Sequence, residues 1–216
     1  MYKTIIRSGC VLYLFTMVSM QTLFAQNTDS LLYKKNYTNL DEAFLNPELV
    51  YRLDLSNQLL NNGQIESLSK FRNLSFLSLR NDHLKEIPKS IVSLKNLKSL
   101  DLSGNDFKFL PAGLKKLKNL EEIYLNDESN ADINQEVRIL SKLPNLRILH
   151  LENDSLKIIP KSITSLKNLE KLYLNGNSIT ELPDFISRNK KLLYIDMKSN
   201  PLQWRGERPF GITINF

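Results

Sequence analysis

The chain has 216 residues, with 29 Lys and Arg against 23 Asp and Glu, for a net charge of +6. These charges are interspersed, as in SLKNLKS and NLEEIYL, which reads as a solvated surface and argues against nucleic acid as a partner. The single cysteine, Cys10, lies in a leader expected to be removed, so the mature chain would hold no disulfide, no thiolate nucleophile and no cysteine metal ligand.

Residues 1–25 read as a signal peptide. Lys3 and Arg7 give a positive start, Cys10 to Val18 a short apolar run, and Ala25 a small residue at the cut before Gln26. The run falls short of the ~20 residues that a bilayer span needs. Removing Lys3 and Arg7 leaves an excess of four positive charges. The expected location is secreted, periplasmic or cell-surface, with no membrane span after signal removal. An uncleaved anchor and an intracellular scaffold without a signal are the alternatives.

Residues 26–49 form a linker and a capping helix. NTDSLLYKKNYTN is polar and expected to be loose. Asn39 can cap a short helix over Leu40 to Leu45, with Asp41 and Glu42 in the first turn where the helix dipole favours acids. Asn46-Pro47 ends it. A solenoid needs such an atypical unit over its open end.

From Val50 the chain repeats. LKSLDLSGNDFKFLPAGLKKLKN fits L-x-x-L-x-L-x-x-N-x-L, with Leu97, Leu100, Leu102, Asn105 and Phe107 in the fixed places. Copies start at Val50, Leu74, Leu97, Leu120, Leu146, Leu169 and Leu192, in steps of 24, 23, 23, 26, 23 and 23 residues. Residues 50–202 are therefore expected to be an α/β solenoid of about seven repeats. Each copy holds a short strand, with Leu53 and Leu55, or Leu100 and Leu102, pointing inward and their neighbours outward. All strands run the same way, so they form one curved parallel sheet on the concave side. Asn105, Asn177 and Asn200 end their strands, where an amide both donates and accepts to satisfy turn backbone. Gln58, Asp82, Glu128 and Asp154 take that place in other copies. An ionised acid only accepts, so there the ladder is expected to break or the turn to be hydrated.

The second half of each unit has its own pattern: EIPKSIVSLKNL, FLPAGLKKLKNL, IIPKSITSLKNL and ELPDFISRNKKL. The Pro ends an extended segment and tolerates the start of a helical turn. Ile91, Leu94 and Leu97 then point back inward, which predicts short helical or 3-10 returns on the convex side. The first unit, GQIESLSKFRNL, lacks the Pro. The fourth unit is longer, and Ile133 to Leu143 is expected to be a true helix with Val137 and Leu140 inward. It should bulge on the outer side, either as a binding feature or as a neutral insertion.

The 23-residue unit with its I/L-P-x-x-I/L-x-x-L-x-N-L half resembles the leucine-rich repeats of the plant-type and Ras-group proteins, also widespread in secreted bacterial proteins. The resemblance covers Val50 to Leu202. It implies a non-enzymatic, mostly protein-binding scaffold, and it implies no catalytic residues. Asn200-Pro201-Leu202 resembles the start of an extracellular C-terminal cap, without that cap's cysteines. Residues 203–216 are the expected cap: Ile212-Thr213-Ile214 as a last strand, with Trp204 and Phe210 over the final core layer. A partner-anchoring Trp204 is the alternative.

No catalytic, cofactor or metal site is expected. His83 and His150 lie about three repeats apart, carboxylates sit singly, and no nucleophile, P-loop or zinc motif occurs. The informative positions face out of the concave strands. The column Asp54, Ser78, Asp101, Tyr124, His150, Tyr173, Asp196 places three rings on consecutive strands, ~4.8 Å apart. Ile148 and Tyr194, one column over, extend the patch, with Lys171 inside it. Glu122, Glu152, Lys171 and Lys198 form a charged rim. Aromatic anchors within a charged rim concentrate binding energy, which points to a protein partner. Sugar rings also stack on tyrosines, so a glycan or cell-wall ligand is the second reading. The bland reading is that tyrosines suit exposed strands anyway. His150 would make binding pH-sensitive near ~6.5. Asn36, Asn73 and Asn153 head glycosylation sequons, of consequence only in a eukaryotic secretory setting.

Overall fold

The computed structural model describes residues 33–127, 132–203 and 209–216. Nine short parallel strands follow one another in chain order to make one sheet. They are β1 (Asn36–Tyr37), β2 (Arg52–Asp54), β3 (Phe76–Ser78), β4 (Ser99–Asp101), β5 (Glu122–Tyr124), β6 (Ile148–His150), β7 (Lys171–Tyr173), β8 (Tyr194–Asp196) and β9 (Thr213–Asn215). The register advances by one whole repeat per strand, so Leu53, Leu77, Leu100, Ile123, Leu149, Leu172 and Ile195 stand side by side. All seven are fully buried. Apart from the two-residue β1, each strand is three residues long because the turn residues follow at once. Sheet hydrogen bonds therefore depend on stacking between units.

The returns behind the sheet explain the Pro pattern. Pro111, Pro160 and Pro183 are extended, with φ near −70° and ψ near 140°, and each caps a 3-10 segment: Ala112–Lys116, Lys161–Ser165 and Asp184–Arg188. In a 3-10 helix, side chains three apart eclipse. That geometry suits Leu114, Leu117 and Leu120, or Ile91, Leu94 and Leu97, all of them buried. The unit without a Pro forms an α-helix instead, α2 (Asn62–Ser67), whose Asn61 and Gln64 make a reciprocal capping box. Before it, α1 (Leu40–Leu45) is capped by Asn39, whose side chain accepts from the Asp41 and Glu42 amides. In the long fourth unit α3 (Ile133–Leu140) buries Val137 and Leu140, and ends three residues before the expected Leu143. Among the described residues no helix is long and apolar enough to cross a membrane.

Two side-chain ladders hold the turns. At the strand C-termini, Asn105 Nδ2 donates to the Leu79 and Leu102 carbonyls while its Oδ1 accepts from the Asp82 and Leu84 amides. Asn177 repeats this three units further on, with Leu151, Leu174, Asp154 and Leu156. Asp82 keeps only the accepting half: Oδ1 takes the Gln58 and Leu59 amides, and Oδ2 has no partner. The neighbouring turn position needs φ > 0, and Gly104 supplies it at +65°. A Cβ there would lie 2.0 Å from Asn81 Oδ1, so the glycine also makes room for its neighbour. At the other rim, Asn73, Asn96, Asn119, Asn145 and Asn168 each donate to a carbonyl of the preceding unit. This second ladder is the Asn of the L-x-N-L half.

Some expectations need correction. Asn36–Tyr37, placed in a loose segment, is strand β1, pairing with β2 and burying Tyr37. Tyr37 and Leu40 cover the first core layer, which is why this polar stretch is ordered. At the other end β9 does close onto β8. Phe210 does not cover the core but is fully exposed; Leu202, Ile212 and Ile214 pack there instead. Met1–Ala25, Glu128 and Trp204 lie outside the described residues.

Candidate functional site

On the concave face, β5, β6 and β7 bring Tyr124, His150 and Tyr173 into register. The rings form one pile. Tyr124 and His150 have centroids 3.8 Å apart at 15°, and His150 and Tyr173 are 4.3 Å apart at 2°. Tyr194, from β8 in the adjacent column, leans on Tyr173 at 5.6 Å and 54°. The central ring is covered on both faces, and His150 is only 7% exposed.

Glu122 and Glu152 are not a distant rim. They clamp the edges of that ring. His150 Nε2 lies 3.1 Å from Glu122 Oε1, and Nδ1 lies 3.2 Å from Glu152 Oε2. With a carboxylate at each nitrogen, the imidazolium donates from both. Burial works against the charge as the largest single effect, but the two carboxylates outweigh it and the His150 pKa is raised. A titration at the ordinary histidine value is thus displaced upward. Burial also opposes charge on Glu122, yet hydrogen bonds from His150, Tyr124 and Ser99 hold its pKa down. The bond from His150 is the largest influence lowering Glu152. Tyr124 donates to Glu122 Oε1 at 2.9 Å, and burial together with that carboxylate raises the phenol pKa. The two tyrosine faces around the cation add an attraction from the ring quadrupoles.

Other residues that the sequence did not single out complete the network. Ser99 donates to Glu122 Oε2 at 3.0 Å, and Asn126 Nδ2 donates to Glu152 Oε2 at 2.8 Å. Asn215 of β9 donates to the Tyr194 hydroxyl and to Asp196 Oδ2, each at 3.1 Å. Ser99 and Asn126 follow from column position once the register is known. Asn215 does not, because β9 lies outside the repeat. Ile148 is half-buried on β6 beside the pile, while Lys171 on β7 and Lys198 in the turn after β8 are exposed. Neither lysine makes an ion pair among the described residues. A second aromatic contact lies toward the N-terminal end, where the Arg52 guanidinium sits 4.1 Å over the Phe76 ring.

The arrangement positions rings and fixes charges; the His150 nitrogens are both engaged by carboxylates and face no nucleophile. Among the described residues no group of His, Cys, Asp and Glu is disposed to hold a metal ion.

The family described as "Leucine rich repeat" matches residues 72–131 and 144–202, together more than half of the chain. The chain belongs to the leucine-rich repeat family. No curated protein matches it. Solved structures match over most of its length. An internalin of Listeria monocytogenes is 19% identical with a TM-score of 0.57, over 78% of this chain and 48% of the internalin. The Drosophila Toll–Spatzle complex gives 19% identity and a TM-score of 0.59, over 76% of this chain and 22% of that one. The TLR13–ssRNA13 complex gives 25% identity and a TM-score of 0.61, over 83% of this chain and 30% of that one. This leucine-rich repeat chain thus spans less than half the length of each.

Proposed function

We propose that this chain is an exported, non-enzymatic leucine-rich repeat module that grips a protein partner on its concave sheet. The observation that carries the reading is the locked pile. Tyr124, His150 and Tyr173 are stacked, clamped by two carboxylates and tied to Ser99 and Asn126. Side chains already held in place lose little entropy on binding, so their contact area converts more fully to affinity. Half-buried Tyr124, Tyr173 and Tyr194 present ring edges and hydroxyls, a mixed apolar and polar surface of the kind that anchors protein interfaces. Export rests on the leader-like residues 1–25.

The same geometry weighs against a sugar ligand. Stacking onto a sugar needs open ring faces, and both faces of His150 and the inner faces of its two neighbours are used within the pile. A polyanion is disfavoured at the pile itself, where Glu122 and Glu152 flank His150. Toll is seen with Spatzle and TLR13 with a single-stranded RNA. On this chain the carboxylates favour the protein class.

Parallel protein and glycan array screens of the wild type and Tyr173→Ala test the reading. Tyr173 packs on the pile but closes no core layer, so the variant should fold. The expected result is a protein ligand whose binding weakens by ~2 kcal/mol or more. Undiminished affinity of that ligand for a folded variant, or hits confined to glycans, overturns it.

A further inference from the structure

Charges that alternate along the sequence are sorted by the fold. Two residues before the first apolar position of successive repeats stand Arg72, Lys95, Lys118, Pro144, Lys167 and Lys190. Four residues before it stand Lys70, Ser93, Lys116, Lys142, Ser165 and Arg188. From the second copy onward neither row contains an acid; in the first copy Glu48 and Asn46 hold these places. Both run along the rim where each return segment turns into its strand. Every cation in them is exposed.

The adjacent row behaves differently. One residue past the same position, Lys98 pairs with Glu121 at 3.6 Å and Arg147 with Glu170 at 2.8 Å. That row neutralises itself. Among the described residues no cation of the first two rows makes an ion pair. Their backbone is fixed, because Asn96, Asn119 and Asn145 bond the carbonyls of Arg72, Lys95 and Lys118. The Lys95 and Lys167 ammoniums rest on the Val92 and Thr164 carbonyls. Apolar side chains bracket the stripe, with Leu45 76% and Leu49 37% exposed where the rim begins and Leu193 57% exposed where it ends.

We propose that this basic rim docks onto an anionic lipid bilayer, edge-on, leaving the concave sheet open. Most of the cations are lysines, point charges on flexible stems, which suit a diffuse layer of phosphate headgroups better than a bidentate site. Clusters of basic residues at a surface are drawn to anionic lipid, and exposed leucines at the ends can enter the headgroup layer. The two rows hold no aromatic ring, whereas a groove for single-stranded nucleic acid stacks bases on such rings. Binding of this kind is peripheral and reversible. It uses no residue of the concave site and stands apart from the protein-binding reading.

The test is co-sedimentation of the full chain with vesicles of phosphatidylcholine alone and of mixed phosphatidylcholine and phosphatidylglycerol. Binding should occur only to the mixed vesicles and be lost in high salt. The triple variant Lys95→Ser, Lys118→Ser, Lys167→Ser should weaken partitioning by about 100-fold, at about fivefold per charge. Lys171→Ser with Lys198→Ser, on the concave side, should leave it unchanged, and thermal melts should show all chains folded. Equal binding to neutral vesicles, or undiminished binding of the folded triple variant, overturns the proposal. So does binding of heparin or single-stranded DNA without binding of mixed vesicles.

Discussion

Glu136 sits in α3 at 1% exposure, and its Oε1 meets no hydrogen-bond donor. Burial, with Asp154 and Asp132 nearby, pushes its pKa up from 4.5 to about 8. His150 shows the opposite balance, for there carboxylates on both edges overcome the burial that opposes its charge. The sign for Glu136 follows from proton counting. Below about 4.5 the carboxyl is neutral whether the chain is folded or not. Between about 4.5 and about 8 the folded chain holds a proton that the unfolded chain has released, so stability falls as pH rises, by about 1.4 kcal/mol per unit. Above about 8 the penalty is complete. Glu136→Gln removes it while keeping the shape. The variant should melt with the wild type at pH 5 and be more stable by a few kcal/mol at pH 9. Taking the difference between the two chains cancels the contribution of His150. Equal melting temperatures at pH 9 would show that the buried carboxyl carries no such penalty.

Among the elements, the asparagine ladder is where one residue breaks the pattern. Asp82 is 4% exposed, accepts two amides through Oδ1, and leaves Oδ2 without a partner. Burial raises its pKa as the largest cause, although the Gln58 and Leu59 amides oppose the shift. An amide at this place would donate, as Asn105 and Asn177 do to carbonyls of their own and the preceding unit. Asp82→Asn should therefore stabilise the chain by ~1 kcal/mol, a rise in Tm of about 2–4 °C. A fall in Tm would mean that Oδ2 faces no acceptor. The sequence showed this weakness, because a periodic pattern exposes any residue that departs from it. It also showed the strands, the inward leucines and the helix of the fourth unit. It could not show β1 or the role of Phe210, since both lie outside the period and depend on what covers the end layers. The ring column was legible for the same reason as the core: one register fixes every column. The clamp was not, because two glutamates in different columns reach one histidine only through side-chain length and direction.

At the scale of the whole molecule, stability is a chain of neighbour terms. Each strand pairs only with the strands before and after it. Each unit buries its leucines against the next, and no central core gathers distant parts of the sequence. The same stacking aligns like charges into the basic rim, so the surface pattern and the core have one cause. Leu102, fully buried, lies within one such interface. Leu102→Asp places a charge where no donor awaits it and removes an apolar side chain, which together exceed ~4 kcal/mol. In a globular core such damage would lower protection everywhere. Here it should spread from β4 to β3 and β5 and fade toward β1 and β9. Hydrogen exchange measured by mass spectrometry resolves the two patterns, and Phe109→Asp, at an exposed position in the next return segment, serves as the control. Amide protection lost evenly over the chain would show that the solenoid folds as one cooperative unit; protection unchanged around β4 would mean that the leucine interior is not what holds the repeats together.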